Sequence, residues 1–309
     1  MSPTILADIG ARGITEPWDR LAIVGNCCNY DIRLNANELS DRKFSLSLAL
    51  LTQHLLNGEI VNNGQSNNHS LTQNIFDFLK NQSLDSFKSP IREELTFIKG
   101  CRFTKVELVK EGVQTCGHLW KIGKRIEVKR EARLPWEDST RGGLNDRQRY
   151  SLKQLAHELG IGMHERRYET LADNLLHYLK EEEKSKYSFA EEYMYCMARE
   201  VLDAMTDPGK VLRLGCLVDG SDNKGTPYRG IFVCDANDQG PEYIFTAWRQ
   251  SGENSGDVDK HVSLEVELLN PNAEGLPELI TRKWVNGLCF ASGWERRNVL
   301  FPWPKVFEI

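Results

Sequence analysis

The sequence predicts an α+β fold: helical N-terminal and middle segments packed on a strongly curved, mostly antiparallel sheet or partly closed barrel. Three observations carry this. Six strand-like runs close the chain: 211–219, 228–235, 242–250, 261–269, 280–290 and 297–303. A hairpin signal lies far upstream of them, at residues 94–130. The helical patterns fall before and after that hairpin and do not alternate with strands, which separates α+β from α/β architecture.

The strands rest on periodicity. In the fourth run Val262, Leu264, Val266 and Leu268 share one face while His261, Ser263, Glu265 and Glu267 share the other, the two-residue repeat of a half-buried strand. The gaps between runs (219–225, 235–241 and 270–272) are rich in Asp, Asn, Gly and Pro, as meander connections require.

In chain order, Met1 to Pro17 reads as an irregular arm, because Gly10 and Gly13 disfavour a helix start. Trp18 to Tyr30 follows as a helix with Leu21, Ile23, Val24, Cys27 and Cys28 on its apolar stripe. Phe44 to Leu56 is a second helix, apolar over most of its circumference and stopped by Asn57-Gly58. A polar, Asn-rich loop leads to Ser70, which caps a third helix over 71–79. Phe97–Val109 and Thr115–Val128 flank Lys110-Glu111-Gly112 as the two arms of the hairpin. A charged linker with Pro135, Gly142 and Gly143 precedes three helices at 146–159, 168–182 and 189–205, the last ending at Asp207-Pro208-Gly209. One compact unit is expected over residues 1–309: mainly helical to 93, the hairpin at 94–130, helical at 145–206 and antiparallel strands at 211–304. Neither helical segment alone is large enough to cover such a sheet.

The chain has 309 residues, of which 40% are hydrophobic and 27% charged, within the range of globular proteins. Its net charge of −5 argues against nucleic acid as a partner. The basic run from Lys121 to Arg133 reads as a solvated, protected hairpin edge. No apolar stretch approaches the ~20 residues that cross a bilayer, so no membrane partner is expected. Residues 1–13 lack a basic region followed by an apolar one, and a cytoplasmic location is the expectation. Eight cysteines are present without any C-x-x-C pair, and read as reduced thiols within apolar runs. Of the adjacent Cys27 and Cys28, one is expected to face the core of its helix.

Three sets of residues carry a family resemblance. The first is Trp18 to Cys28 with Ser45-Leu46-Ser47-Leu48-Ala49 and Leu55-Leu56-Asn57-Gly58-Glu59. The second is Gly117-His118-Leu119-Trp120-Lys121-Ile122-Gly123. The third joins Tyr228 to Val233, Tyr243 to Trp248, His261 to Val266 and Trp284 to Phe290. Taken in order, from about Trp18 to Pro304, they resemble the region C-terminal to the HET domain in large fungal heterokaryon-incompatibility proteins. The HET domain itself would precede Trp18, where only a short arm stands. The resemblance implies a fungal source and an accessory region standing alone; it supplies no catalytic residues.

Motif chemistry is sparse. His157-Glu158 and His164 do not have H-E-x-x-H spacing, and Gly160 and Gly162 interrupt the helix, so no metal site is assigned. No phosphate-binding glycine motif and no nucleophile elbow occurs, and no cofactor is expected. What remains is a constellation. On a curved sheet His118 and Trp120 would meet Trp248 and Trp284, with Asn286, Arg282 and Thr246 on the matching alternation and Trp303 nearby. Aromatic walls with a few polar groups describe a cavity for a hydrophobic small-molecule metabolite. In it His118 would be the acid–base catalyst, and Trp120, Trp248, Trp284, Asn286 and Arg282 the substrate-binding residues. The bland alternative is ordinary core filling around a hydrogen-bonded histidine.

Two functional readings follow. One is a cofactor-independent cyclase or isomerase of fungal secondary metabolism, working by positioning and proton transfer. The other is a non-catalytic interaction or regulatory module related to the incompatibility proteins, acting on a protein partner or as a homo-oligomer. A deep aromatic-lined cavity around His118 would favour the enzyme. A filled core with exposed apolar surface would favour the module.

Overall fold

A computed structural model of the chain describes residues 2–64, 75–80, 82, 102–126, 143–162, 166–184, 189–218, 225–247, 262–269, 275–291 and 296–304. Within these residues five helices precede the first strand: α1 (Ser2–Ala11), α2 (Asp19–Cys27), α3 (Ala36–Asp41), α4 (Leu46–Leu56) and α5 (Ile75–Lys80). The hairpin strands are β1 (Glu107–Val109) and β2 (Gly112–Ile126). Three helices follow, α6 (Asp146–Gly162), α7 (Arg166–Lys184) and α8 (Phe189–Thr206). The chain then forms β3 (Lys210–Leu217), β4 (Tyr228–Asp235), β5 (Tyr243–Ala247), β6 (Val262–Leu268), β7 (Leu279–Trp284), β8 (Asn286–Cys289) and β9 (Arg297–Pro302).

These elements make the expected α+β architecture. The strands form one antiparallel sheet in the order β7-β6-β5-β2-β3-β4-β8, with β1 and β9 both added to β2. The upstream hairpin therefore supplies the central strand. The ordered path does not close by a ladder between its ends, β7 and β8. Yet those ends are consecutive in the chain, separated by Val285 alone, so the sheet must curve strongly to hold both. The Val285 amide also donates to the Ser263 carbonyl at 3.0 Å, tying the junction to β6.

Two groups of helices cover the outer face of this sheet. The N-terminal helices pack on Leu119, Phe245, Val262, Leu264, Val266, Leu279, Val299 and Phe301. The middle helices pack on Leu212, Leu214, Ile231, Val233 and Leu288. The alternate residues of the same strands turn inward and form a third cluster around Trp120 and Phe232.

Several local expectations are corrected. The arm before Pro17 contains a helix, because Ile5, Leu6 and Ile9 share a face that α2 and α5 bury. The short α3, capped by Asn35, escaped the periodicity reading because none of its residues is buried. The first hairpin arm is a strand only from Glu107, with residues 97–101 outside the described part. The run 280–290 divides at Val285. Helix α6 continues through Gly160 to Gly162, so those glycines do not interrupt it. The third N-terminal helix is described from Ile75, and residues 71–74 lie outside the described part. No helix among the described residues is long and apolar enough to cross a membrane.

Candidate functional site

Strand β2 organises the candidate site by plain alternation. His118, Trp120 and Ile122 point into the curve of the sheet, while Leu119 points to the N-terminal helices. The strand is also shared: Gly112 to Gly117 pair with β9, and His118 to Lys121 pair with β5. His118 therefore stands where the two partners part, opposite Thr246.

Trp120 is fully buried, and its indole nitrogen donates to Thr246 Oγ1 at 3.0 Å. Thr246 Oγ1 lies 2.9 Å from Ser263 Oγ on β6, which continues the network across a second strand pair. The Trp120 ring meets Phe232 edge-on, with centroids 5.6 Å apart and planes at 67°. Phe232 lies against three glycines, Gly215, Gly230 and Gly287, one on each of three neighbouring strands. A Cβ on Gly215 would stand 2.5 Å from the ring, and one on Gly230 2.8 Å. The phenyl ring thus fills the space that three side chains would otherwise take. Val211, Leu217, Ile244, Val285, Cys289 and Ala291 complete the packing. The inside of the curve is a packed core.

His118 has 4% of its surface exposed, and its ring centroid is 6.4 Å from that of Trp120. Burial first, and then the charge of Arg296, push its pKa down to about 4. The imidazole is neutral at pH 7 and a weak base. Burial likewise pushes the Cys289 thiol up, against a smaller opposing effect of its hydrogen bond with Thr246. That thiol is not poised as a nucleophile.

The remaining sequence-predicted site residues lie elsewhere. Trp284 packs with the cluster under the N-terminal helices, on the outer face. Asn286 is also outward, its amide donating to Glu200 Oε2 on α8 at 2.8 Å. Arg282 is exposed and ion-paired with Glu267. Trp303 donates through Nε1 to the carbonyl of Lys110 at 2.9 Å, at the hairpin turn. Trp248 lies outside the described residues. The structure brings His118, Trp120 and Thr246 together, puts Trp284 and Asn286 on the outer face, and leaves Arg282 exposed at the irregularity of β7, paired with Glu267.

A second polar cluster has no counterpart in the sequence reading. Tyr30 Oη lies 2.7 Å from His54 Nδ1 and 3.3 Å from Glu59 Oε1. Arg102 Nε donates to the same Glu59 oxygen at 3.0 Å, and its Nη2 donates to the Cys28 carbonyl at 2.6 Å. The guanidinium also sits 4.8 Å above the Tyr30 ring. All four side chains are buried. Burial drives the His54 pKa down to about 4, with Glu59 opposing and Arg102 reinforcing. Each group has a partner, and the cluster bolts the end of α4 to the segment leading into β1. The available signal was a charged residue set in apolar context, Arg102 before Phe103, and periodicity does not read such signals.

A third group lies at the end of the sheet where β4 leads to β5. Lys283 Nζ is 2.7 Å from Asp238, 3.4 Å from Asp235 and 3.7 Å from Glu265. Beside it burial pushes the Cys234 thiol up to about 12. Among the described residues no group of three His, Cys, Asp or Glu side chains is placed to hold a metal ion. His157 is exposed on α6, and His164 lies outside the described residues. Cys28 is buried and Cys27 exposed, the expected division of the adjacent pair.

No family model matches the chain, and neither a curated protein nor a solved structure matches it.

Proposed function

We propose that this protein is a non-catalytic interaction module, of the kind the resemblance to the HET-associated region implies. The observation that supports this most is the filled interior: Trp120 and Phe232 occupy the space where a substrate chamber was expected. A buried neutral imidazole and two deprotonation-resistant thiols offer little to acid–base or nucleophilic chemistry there. The exposed surface supports the same reading. Among the described residues five large apolar side chains are strongly exposed; two of them belong to α4 or its N-terminal flank, and a third lies near its C-terminal end. Phe44 (51% exposed) and Leu48 (48%) bracket the N-cap Ser45, and Ile32 (42%) lies beside Asn57 at the other end. Phe44 and Leu48, one helical turn apart, offer apolar surface to another protein chain.

The test is affinity capture from the cells that make the protein, with wild type beside a Phe44→Ser/Leu48→Ser variant and a His118→Gln variant. The module reading expects one protein species, a partner or a second copy, to be retained by wild type and His118→Gln and lost by the α4 variant. Equal retention by all three would sink the assignment to α4. Turnover of a metabolite that depends on His118 would restore the isomerase reading.

A further inference from the structure

A serine stands inside the apolar surface at the start of α4, between Phe44 and Leu48. Ser45 is preceded by Arg42, Lys43 and Phe44 and followed by Leu46. It is the only serine in the chain with arginine three places before it. Serine kinases that select basic substrates read such a pattern by charge. Acidic pockets take the cations two and three places before the acceptor, and an apolar groove takes the residue after it.

The segment is open to an enzyme. Asp41 to Ser45 are exposed, and no residue from Asp41 to Leu48 is buried. Helix α3, which ends at Asp41, buries none of its residues. Lys43 sits at φ 57°, in the left-handed region, so straightening the backbone there relieves a strained conformation. Local opening to the extended form that a kinase grips therefore disturbs no buried side chain. Arg42 pairs with Glu38 at 2.7 Å, but the two side chains are 66% and 54% exposed. A surface pair of that kind yields readily to a pocket of carboxylates.

We propose that Ser45 is the acceptor of an arginine-directed serine kinase, and that its phosphate releases the protein partner from α4. The release rests on the docking reading; the modification does not. In the transfer Ser45 Oγ forms a bond to the γ-phosphorus of ATP, and the bond from that phosphorus to the bridging oxygen breaks. ADP leaves, and the hydroxyl proton passes to the kinase. The product sits at the N-cap of α4, where Ser45 Oγ accepts from the Leu48 amide at 3.4 Å. Phosphate oxygens accept from that amide more strongly and place negative charge at the positive end of the helix, so the modified chain keeps its fold. About two negative charges between Phe44 and Leu48 must lose their water before the apolar surface can be covered, which opposes docking.

The test incubates the full chain with ATP, Mg2+ and the catalytic subunit of cyclic-AMP-dependent protein kinase. One phosphoryl group on Ser45 is expected, located by tandem mass spectrometry of the wild-type digest. Arg42→Gln is expected to slow its addition about tenfold, the value of one charge-assisted contact. Ser45→Ala is expected to abolish it. Absence of phosphate from Ser45, or an Arg42→Gln rate equal to that of wild type, would overturn the site. The phosphorylated chain then enters the affinity capture beside the unmodified one. It is expected to retain about tenfold less of the species that the Phe44→Ser/Leu48→Ser variant loses. Equal retention by the two forms would overturn the release. If the unmodified chain retains no such species, the docking reading fails and the release with it, while phosphate on Ser45 still establishes the site.

Discussion

At the scale of single residues, the packing around Phe232 makes a sharp prediction. A methyl on Gly287 would fall within the ring, and the ring is held from the other side by Trp120. Gly287→Ala is expected to destabilise by about 1–3 kcal/mol, the usual cost of overpacking a filled core. Adding Phe232→Leu to that variant should recover part of the loss, because the two sites share one volume. Urea unfolding of the two single variants and the double variant measures this. The buried Glu59–Arg102 pair predicts more. Glu59→Ala leaves Arg102 charged and enclosed, and is expected to cost about 3–5 kcal/mol. The double replacement Glu59→Leu/Arg102→Met should cost less than Glu59→Ala alone, a comparison that denaturant melts decide.

At the scale of elements, β2 joins everything. It pairs with β1, β9, β5 and β3 along its length, so it cannot open without breaking the whole sheet. The amides of Leu119 and Trp120 are expected to exchange only by global unfolding, and those of α1 far sooner. Native-state hydrogen exchange read by mass spectrometry gives the order. Asn63 makes a comparable clamp: its side chain donates to the carbonyls of Leu279 and Pro302 and accepts from the Thr281 amide, holding the loop after α4 to β7 and β9.

Much of this level was legible in the sequence. The alternation in 262–268 is the strand observed, and 228–235 has the same ends in both. Which face of an alternating strand looks inward was not legible, because helices cover the outer face with residues as apolar as those inside. Trp284 and Asn286 were therefore assigned to the wrong side of the sheet. The register shift between Glu265 and Val266 compounds this at β7, where Arg282 is left exposed and pairs with Glu267 while Lys283 faces Glu265. Helix α1 was hidden by Gly10 within it and Gly13 just past it, because tertiary burial of Ile5, Leu6 and Ile9 outweighs the low propensity of glycine.

At the scale of the molecule, two buried histidines set an acid limit. His54 and His118 both have folded-state pKa values near 4, below the unfolded value of about 6.5. Between those values the unfolded chain binds protons that the folded chain does not, so stability rises with pH there. The fold is expected to keep this contribution above about pH 6.5 and to lose it as the pH falls to about 4. Glu200 and Glu265, whose pKa values burial raises, oppose part of the trend. His54→Gln should flatten the dependence of Tm on pH between 6.5 and 4 relative to wild type, which a series of thermal melts reveals. The same whole-molecule view explains the functional reading: two groups of helices close the outer face, Trp120 and Phe232 fill the inner one, and Phe44 and Leu48 stand exposed at the start of α4.

The filled interior is the central claim, and one measurement tests it most directly. Purified protein is incubated with a metabolite extract of its source cells and examined by mass spectrometry, beside His118→Gln verified as folded. The account predicts no metabolite consumed or formed by wild type beyond what the variant shows. Conversion of a metabolite by wild type, abolished in His118→Gln, would contradict it and mean that the core around Trp120 opens to admit a substrate.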